Sequence, residues 1–261
     1  MMPATAPNFD PANFTTEIDN PFMPLDGGTT LIYKSPDGST VDTFQVTERT
    51  KVVDGVRCVV VHDTTRVDGQ LEEDTLDYFA QDKQGNVWYF GEDTKQIENG
   101  HVVGTEGSFR SGVDGARAGL IMEAHPKVGD SYQQEAAPGV AEDQALVLSL
   151  NASAKVPFGS FNHLLLTKET TPLEPTALEN KYYKAGIGVV LTIDKVTGDR
   201  EELVAVRTDD HPGRTFTNVS QLVQAMATFD GGAPGHDSIF SGYQHQDPGL
   251  HSSLIAHGHH A

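Results

Sequence analysis

The sequence predicts an all-β fold, an antiparallel meander that closes into a barrel or a strongly coiled sheet, and three observations predict it. Gly 26 and Pro 14 among 261 residues break the chain too often for long helices. Runs of β-branched and aromatic residues recur between Asp-Gly and other turn residues. Only one stretch, near the C-terminus, carries apolar residues at helical spacing. About a dozen strands joined by short turns leave long open edges unless the sheet curls on itself, so closure or near closure is the economical arrangement.

Taken in order, residues 1–28 are rich in Pro, Asn, Asp and Gly with isolated aromatics (Phe9, Phe14, Phe22), the pattern of an irregular arm packed on the body. Strand signals follow at Leu31–Tyr33, Thr40–Thr47, Arg57–Val67, Leu71–Gln81 and Asn86–Glu92, separated by turns such as Asp54-Gly55 and Asp68-Gly69. Five glycines between residues 104 and 125 read as a long crossing loop with room for one helical turn. Strands resume at Ser131–Glu135, Ala141–Leu150, Ser160–Lys168, Glu179–Lys184, Ile187–Asp194 and Glu201–Arg207. Val219, Leu222, Val223 and Met226 then mark a helix that Asn218 or Ser220 can cap, packed on the outside of the barrel or across one end. The expected division is an arm over 1–28, the barrel over 29–210, and a helix with a His-rich extension over 211–261.

Composition removes several functions. Lys and Arg number 18 against 37 Asp and Glu, a formal charge of −19 that repels phosphate backbones and anionic lipid alike, so no nucleic-acid partner is expected. A single cysteine, Cys58, excludes a disulfide framework and any site built on several thiolates. No run of about 18 apolar residues exists, so no membrane span is expected. The opening Met1-Met2-Pro3-Ala4-Thr5 lacks a basic region and an apolar core, and fits a sequence that starts after a cleaved leader. Gly-x-Ser-x-Gly, Gly-x-Gly-x-x-Gly, a Walker-type phosphate loop and an EF-hand ladder are absent.

The candidate site comes from counting residues across two turns. A two-residue turn at Asp68-Gly69 sets Val67 opposite Gln70, and hence His62 opposite Thr75, Val60 opposite Asp77 and Cys58 opposite Phe79. A four-residue loop at Asp82–Gly85 then sets Phe79 opposite Trp88 and Asp77 opposite Phe90. One face would thereby hold an apolar floor of Phe79, Trp88 and Phe90 beside a charged cluster of His62, Arg66, Glu73, Asp77 and Glu92. Enclosed, such groups must pair, protonate or bind something, which suits a small, partly apolar ligand over the aromatic floor with Arg66 and Glu73 beside it. It equally suits proton transfer by His62, Asp77 and Glu92 as a hydrolase or isomerase would use it, so enzymatic activity stays open. The other arrangement is a solvated rim, because a one-residue slip reverses the faces.

Six of the 11 histidines, His236, His245, His251, His257, His259 and His260, fall at the C-terminal end. His251, His257, His259 and His260 could ligate a divalent transition metal, zinc or copper, with Asp237 or Asp247 as oxygen donors; a flexible polar end without a ligand is the alternative.

Asn86-Val87-Trp88-Tyr89-Phe90-Gly91-Glu92-Asp93, Pro126-Lys127-Val128-Gly129-Asp130 and Lys181-Tyr182-Tyr183 through Val190 together resemble a group of largely uncharacterised bacterial exported proteins of lipocalin-like or half-barrel type. The resemblance covers roughly residues 18–206. It implies an antiparallel barrel and an extracytoplasmic location, and it carries no catalytic residues. The leading expectation is a barrel protein that binds a small, partly apolar ligand, with barrel-mouth acid/base chemistry and metal sequestration by the C-terminal histidines as alternatives.

Overall fold

A computed structural model describes residues 10–208 and 214–229. In chain order the strands are β1 (Phe14–Thr15), β2 (Thr30–Lys34), β3 (Thr40–Val53), β4 (Val56–Val67), β5 (Gln70–Asp82), β6 (Val87–Glu98), β7 (His101–Gly104), β8 (Phe109–Arg110) and β9 (Arg117–Met122). They continue as β10 (Ser131–Gln133), β11 (Glu135–Ala136), β12 (Gln144–Val156), β13 (Gly159–Thr170), β14 (Glu179–Lys184), β15 (Gly188–Asp194), β16 (Arg200–Arg207) and β17 (Thr215–Phe216), followed by helix α1 (Val219–Phe229). β2 to β6 pair consecutively, as do β12 to β16, every pair antiparallel. Four further pairings bend this meander into a nearly closed barrel. β16 returns to β2, with Leu203 opposite Tyr33, while β6 meets β9, β9 meets β11 and β10 meets β12. The all-β, one-helix architecture expected from turn density and residue type is therefore present.

The stretch 104–125 is not the crossing loop that its glycines suggested. It contains β8 and β9, and β9 lays Leu120 opposite Trp88 and Gly119 opposite Tyr89. Pairing with the long β6 on one side, and of β9 with the short β11 on the other, rather than intrinsic propensity, holds this segment extended.

Asp68 and Gly69 both have positive φ (50° and 81°), the backbone that a type I′ hairpin requires, and Val67 faces Gln70 as expected. The register then slips. Arg66 pairs with Leu71, but Thr65 pairs with Glu73, which leaves Glu72 as an extra residue on β5. This bulge moves every later β4 residue by one, and with a side-chain period of two it exchanges the faces. The next loop also differs: Asp82 donates its N–H to the Asn86 carbonyl (2.9 Å), so the loop is the three residues Lys83 to Gly85, and Ala80 rather than Phe79 faces Trp88. A second bulge, where Tyr78 opposes Phe90-Gly91, restores the parity and sets Asp77 directly opposite Glu92. Gly91 is required there, since a Cβ at that position would sit 2.2 Å from the Phe109 carbonyl oxygen of β8.

Three apolar clusters result. The interior one gathers Val46, Val59, Val61, Phe79, Val87, Tyr89, Met122, Val147 and Leu165, and the N-terminal arm closes it by adding Ile18 and Leu25. The buried Asn20 fixes that arm: its N–H donates to Gln81 Oε1 (2.9 Å), and its side-chain amide donates to the carbonyls of Gly85 (2.8 Å) and Glu123 (3.1 Å). A second cluster carries α1 through Val219, Leu222 and Ala225 against Phe158, Phe161 and Leu164. Asn218 caps this helix by accepting the Gln221 N–H (3.0 Å). The third lies on the outer face of β4 to β6, where Cys58, Val60, Tyr78 and Phe90 are buried and Phe14 of the arm packs edge-on over Phe90 and Trp88.

Candidate functional site: a carboxyl ring inside the barrel

Read along their inward-facing residues, the strands repeat one gradient. On β3 it runs Val46, Phe44, Asp42; on β4, Val59, Val61, Asp63; on β5, Phe79, Asp77, Thr75; on β6, Tyr89, Glu92, Thr94. Across the barrel, β13 gives Leu165, Thr167, Glu169 and β14 gives Tyr183, Lys181, Glu179. Each row passes from apolar or aromatic to acidic. Because the rows stand side by side in the ladder, the barrel is apolar at the end sealed by Ile18 and Leu25 and carboxyl-lined towards the other.

The acids form a circuit in which each feels the next. Asp42 raises Asp63, Asp77 is raised by Glu92, Glu92 and Asp143 raise Glu135, and Asp42 raises Glu201. Among the described residues, the ammonium that joins this circuit is Lys181. Its Nζ lies 2.9 Å from Glu169 Oε2 and 3.8 Å from Glu179 Oε2. Glu169 is buried and fully satisfied, since Oε1 accepts from Thr167 (2.9 Å) and Tyr183 (3.0 Å). Against the cost of burial, Lys181 holds this carboxyl below its ordinary value, and Glu169 in turn keeps Lys181 charged.

Among the described residues no other cation pairs with the remaining acids, although Lys181 also draws Glu135, Asp143 and Glu201 down. Burial, with Glu92 and Glu73 adding and a hydrogen bond from Tyr89 opposing, pushes Asp77 up to about 7. Burial likewise brings Glu92 to about 7, Glu135 to about 8 with Asp143 adding, and Glu201 to about 7 with Asp42 adding. Tyr89 donates to Asp77 Oδ1 (2.6 Å) and stacks on Phe79 at 4.9 Å between centroids; Thr94 donates to Glu92 Oε2 (2.9 Å). At neutral pH the ring therefore carries fewer charges than carboxyls, and each of these groups can hold or release a proton near physiological pH. A surface crevice of about 280 Å³ opens beside Glu92, floored by Phe109, Ala116, Ala137 and Pro138.

Asp77, Glu92 and Phe79 share this interior, and Glu73 continues the same face of β5 at its exposed rim. His62 does not, because the Glu72 bulge turns it outward. It pairs there with Asp74 (2.8 Å), whose other oxygen lies 3.4 Å from Lys95. Arg66 also faces outward, reaching the Gly69 carbonyl (3.4 Å). Trp88 and Phe90 belong to the outer cluster: Trp88 donates its indole N–H to Asp82 Oδ2 (2.8 Å), and Phe90 is buried under Phe14. The aromatic floor is instead Phe79 with Tyr89, Phe44 and Phe109. His251, His257, His259 and His260 lie outside the described residues. Among the described residues, no group of three or more His, Cys, Asp or Glu side chains is arranged to hold a metal ion.

Turn counting did not reach Asp42, Asp63, Glu135, Glu169, Lys181 and Glu201. A signal for some of them is present, for Leu165-x-Thr167-x-Glu169 and Lys181-x-Tyr183 continue an inward period-two series into charged residues.

No family model matches the chain, and no curated protein matches it. Two solved structures are similar to it. One is an inferred exported protein with a YmcC-like fold from Bacteroides fragilis, at 13% identity and a TM-score of 0.41, covering 72% of this chain and 99% of that one. The other is an inferred lipoprotein from Parabacteroides distasonis, at 12% identity and a TM-score of 0.37, covering 71% and 98%. Among the described residues no helix is long and apolar enough to cross a membrane.

Proposed function

We propose that this chain is a barrel binding protein for a small, partly apolar ligand, held inside the barrel between the Phe79/Tyr89 floor and the carboxyl ring. The observation that carries the reading is the gradient repeated on β3, β4, β5, β6, β13 and β14, which presents one apolar end and one polar end to a single molecule. Ring members Asp42, Asp63, Glu92, Glu135 and Glu201 keep part of their surface exposed, so the polar end is reachable from solvent. Titration calorimetry against a panel of amphipathic aromatic and aliphatic molecules tests it. Saturable binding at one site, lost in Phe79→Ala and kept in His62→Ala, is the expected result; no saturable binding across the panel contradicts it. An extracytoplasmic location belongs to the same proposal and rests on the motif resemblance to exported bacterial proteins; fractionation of the source cell checks it.

A second reading is favoured by one feature, the direct opposition of Asp77 and Glu92 with both carboxyls at about 7 and Tyr89 bonded to Asp77. Two groups that exchange protons near neutrality can serve as acid and base. Turnover of a panel substrate with a bell-shaped pH profile, abolished in Asp77→Asn, would establish it.

A further inference from the structure

We propose that the surface crevice beside Glu92 is a binding site of its own, for a small uncharged molecule with a single-ring or branched apolar body and a head that both donates and accepts hydrogen bonds, as a carboxamide does. Such a site is additional to the interior one and stands or falls without it. The crevice, about 280 Å³, lies at the lower limit of small-molecule sites, which sets the size class of its occupant. Its floor is apolar and buried: Phe109, Ala116 and Ala137 are 7%, 6% and 2% exposed, and Pro138 completes it. Phe109 stands between this floor and the interior, where it packs edge-on against Tyr89 at 5.6 Å between centroids.

Two exposed valines form the lips. Val113 (52% exposed) and Val140 (48%) both sit in tight turns at the edge of the crevice, positions where polar residues ordinarily stand. Each turn is fixed by its own backbone: Val113 donates its N–H to the Arg110 carbonyl (3.1 Å) and Val140 to the Ala137 carbonyl (3.0 Å), so little ordering is left for binding to impose. A lone valine on a surface needs no explanation, but two converging on one buried floor make a patch. The head follows from the polar lining. Arg110 spends Nε and Nη2 on Asp93, which leaves its Nη1 hydrogens as donors. Glu92 accepts from Thr94 at Oε2, and its Oε1, beside Gly107, is left as an acceptor. An amide answers both. A carboxylate head would meet Glu92, Asp93 and Asp114 as like charges, and an ammonium has no lone pair to offer Arg110.

Backbone-amide NMR titration of the full chain at pH 7.5 with 2-phenylacetamide, 2-phenylacetate and 2-phenylethan-1-amine locates and ranks binding together. The amide is expected to shift the Val113, Ala116 and Val140 signals saturably and to bind at least fivefold more tightly than either charged probe. Val113→Ser combined with Val140→Ser, which alters only exposed turn positions, should weaken the amide at least fivefold, whereas Val196→Ser, at an exposed valine in the β15–β16 turn, changes nothing. Arg110→Met should remove the preference for the amide over the amine, because it takes away the donor and frees Asp93. Three results overturn the site: no saturable shift at Val113 and Val140, saturable shifts that the double variant leaves unchanged, or shifts confined to interior residues such as Leu165 and Tyr183. The last of these would at the same time uphold the interior reading. A charged probe that binds as tightly as the amide overturns the ligand class.

Discussion

The two faces of the β4–β6 meander use the same residue type to opposite ends. On the outer face Asp74 and Asp93 each have a cation beside them: Asp74 lies between the His62 imidazole and the Lys95 ammonium, and Asp93 against the Arg110 guanidinium with the Tyr78 hydroxyl donating to it at 2.6 Å. Both are held below the ordinary carboxylate range by those partners, even though partial burial pushes the other way. Three residues along β5 from Asp74 and one residue before Asp93 on β6, Asp77 and Glu92 face inward, where burial above all, with other carboxyls adding, pushes them up to about 7. Burial and neighbours, not the residue type, decide whether a carboxyl is a fixed charge or a proton store. Outer pairs tie strands together; Asp77 and Glu92 have no cation paired with them among the described residues.

The sharpest way to break that contrast is to remove Lys181, the one inner cation among the described residues. Lys181→Met leaves Glu169 buried without its counter-charge, and we expect about 3 to 5 kcal/mol of lost stability at pH 7.5 by urea denaturation. The loss should shrink at pH 5, where Glu169, released from Lys181, can take up a proton. A cost below about 1 kcal/mol would show that the ring carries no mutual dependence.

A smaller effect, of opposite sign, is expected from Asp77→Asn. The folded state holds a proton on Asp77 up to about 7, whereas the unfolded chain releases it near the ordinary aspartate value, so folding takes up a proton between those limits. Stability from this group is therefore present at low pH and is lost as pH rises through about 7. The amide, which cannot ionise, should leave stability near pH 5 within about 1 kcal/mol and raise it by roughly 2 kcal/mol at pH 8. On the outer face Arg110→Ala is the smallest of the three. Its pair with Asp93 is more than one-third exposed on both sides, and screening limits the loss to about 0.5 kcal/mol, falling further in high salt.

The same meander shows how much the sequence discloses. The hairpins are legible because Asp54-Gly55 and Asp68-Gly69 supply the positive φ values that a tight turn demands, and the strands because Val, Ile, Thr and aromatics crowd between them. The faces are not. Nothing in Leu71-Glu72-Glu73 marks which residue the ladder will skip, and that single skip sends His62 to the surface and leaves Asp77 within. Counting set Phe90 opposite Asp77; Glu92 stands there instead, and it keeps the face that counting gave it only because the shorter loop at Lys83–Gly85 and the bulge opposite Tyr78 together shift the register by two residues. In the far half of the ring, alternation at Leu165-x-Thr167-x-Glu169 and Lys181-x-Tyr183 marks a shared face but not which strands meet. Lys181 meets Glu169 through β13 and β14, and Glu201 approaches Asp42 only because β16 folds back onto β2, a contact across more than half the chain.

Carboxyl-carbon NMR titration of the Asp and Glu side chains tests the central claim most directly. If the barrel encloses the ring, Asp77, Glu92, Glu135 and Glu201 titrate between about pH 6 and 8, while Asp74 and Asp93 titrate below the ordinary carboxylate range. Titration of all six together near pH 4, as solvated surface carboxylates would show, contradicts it.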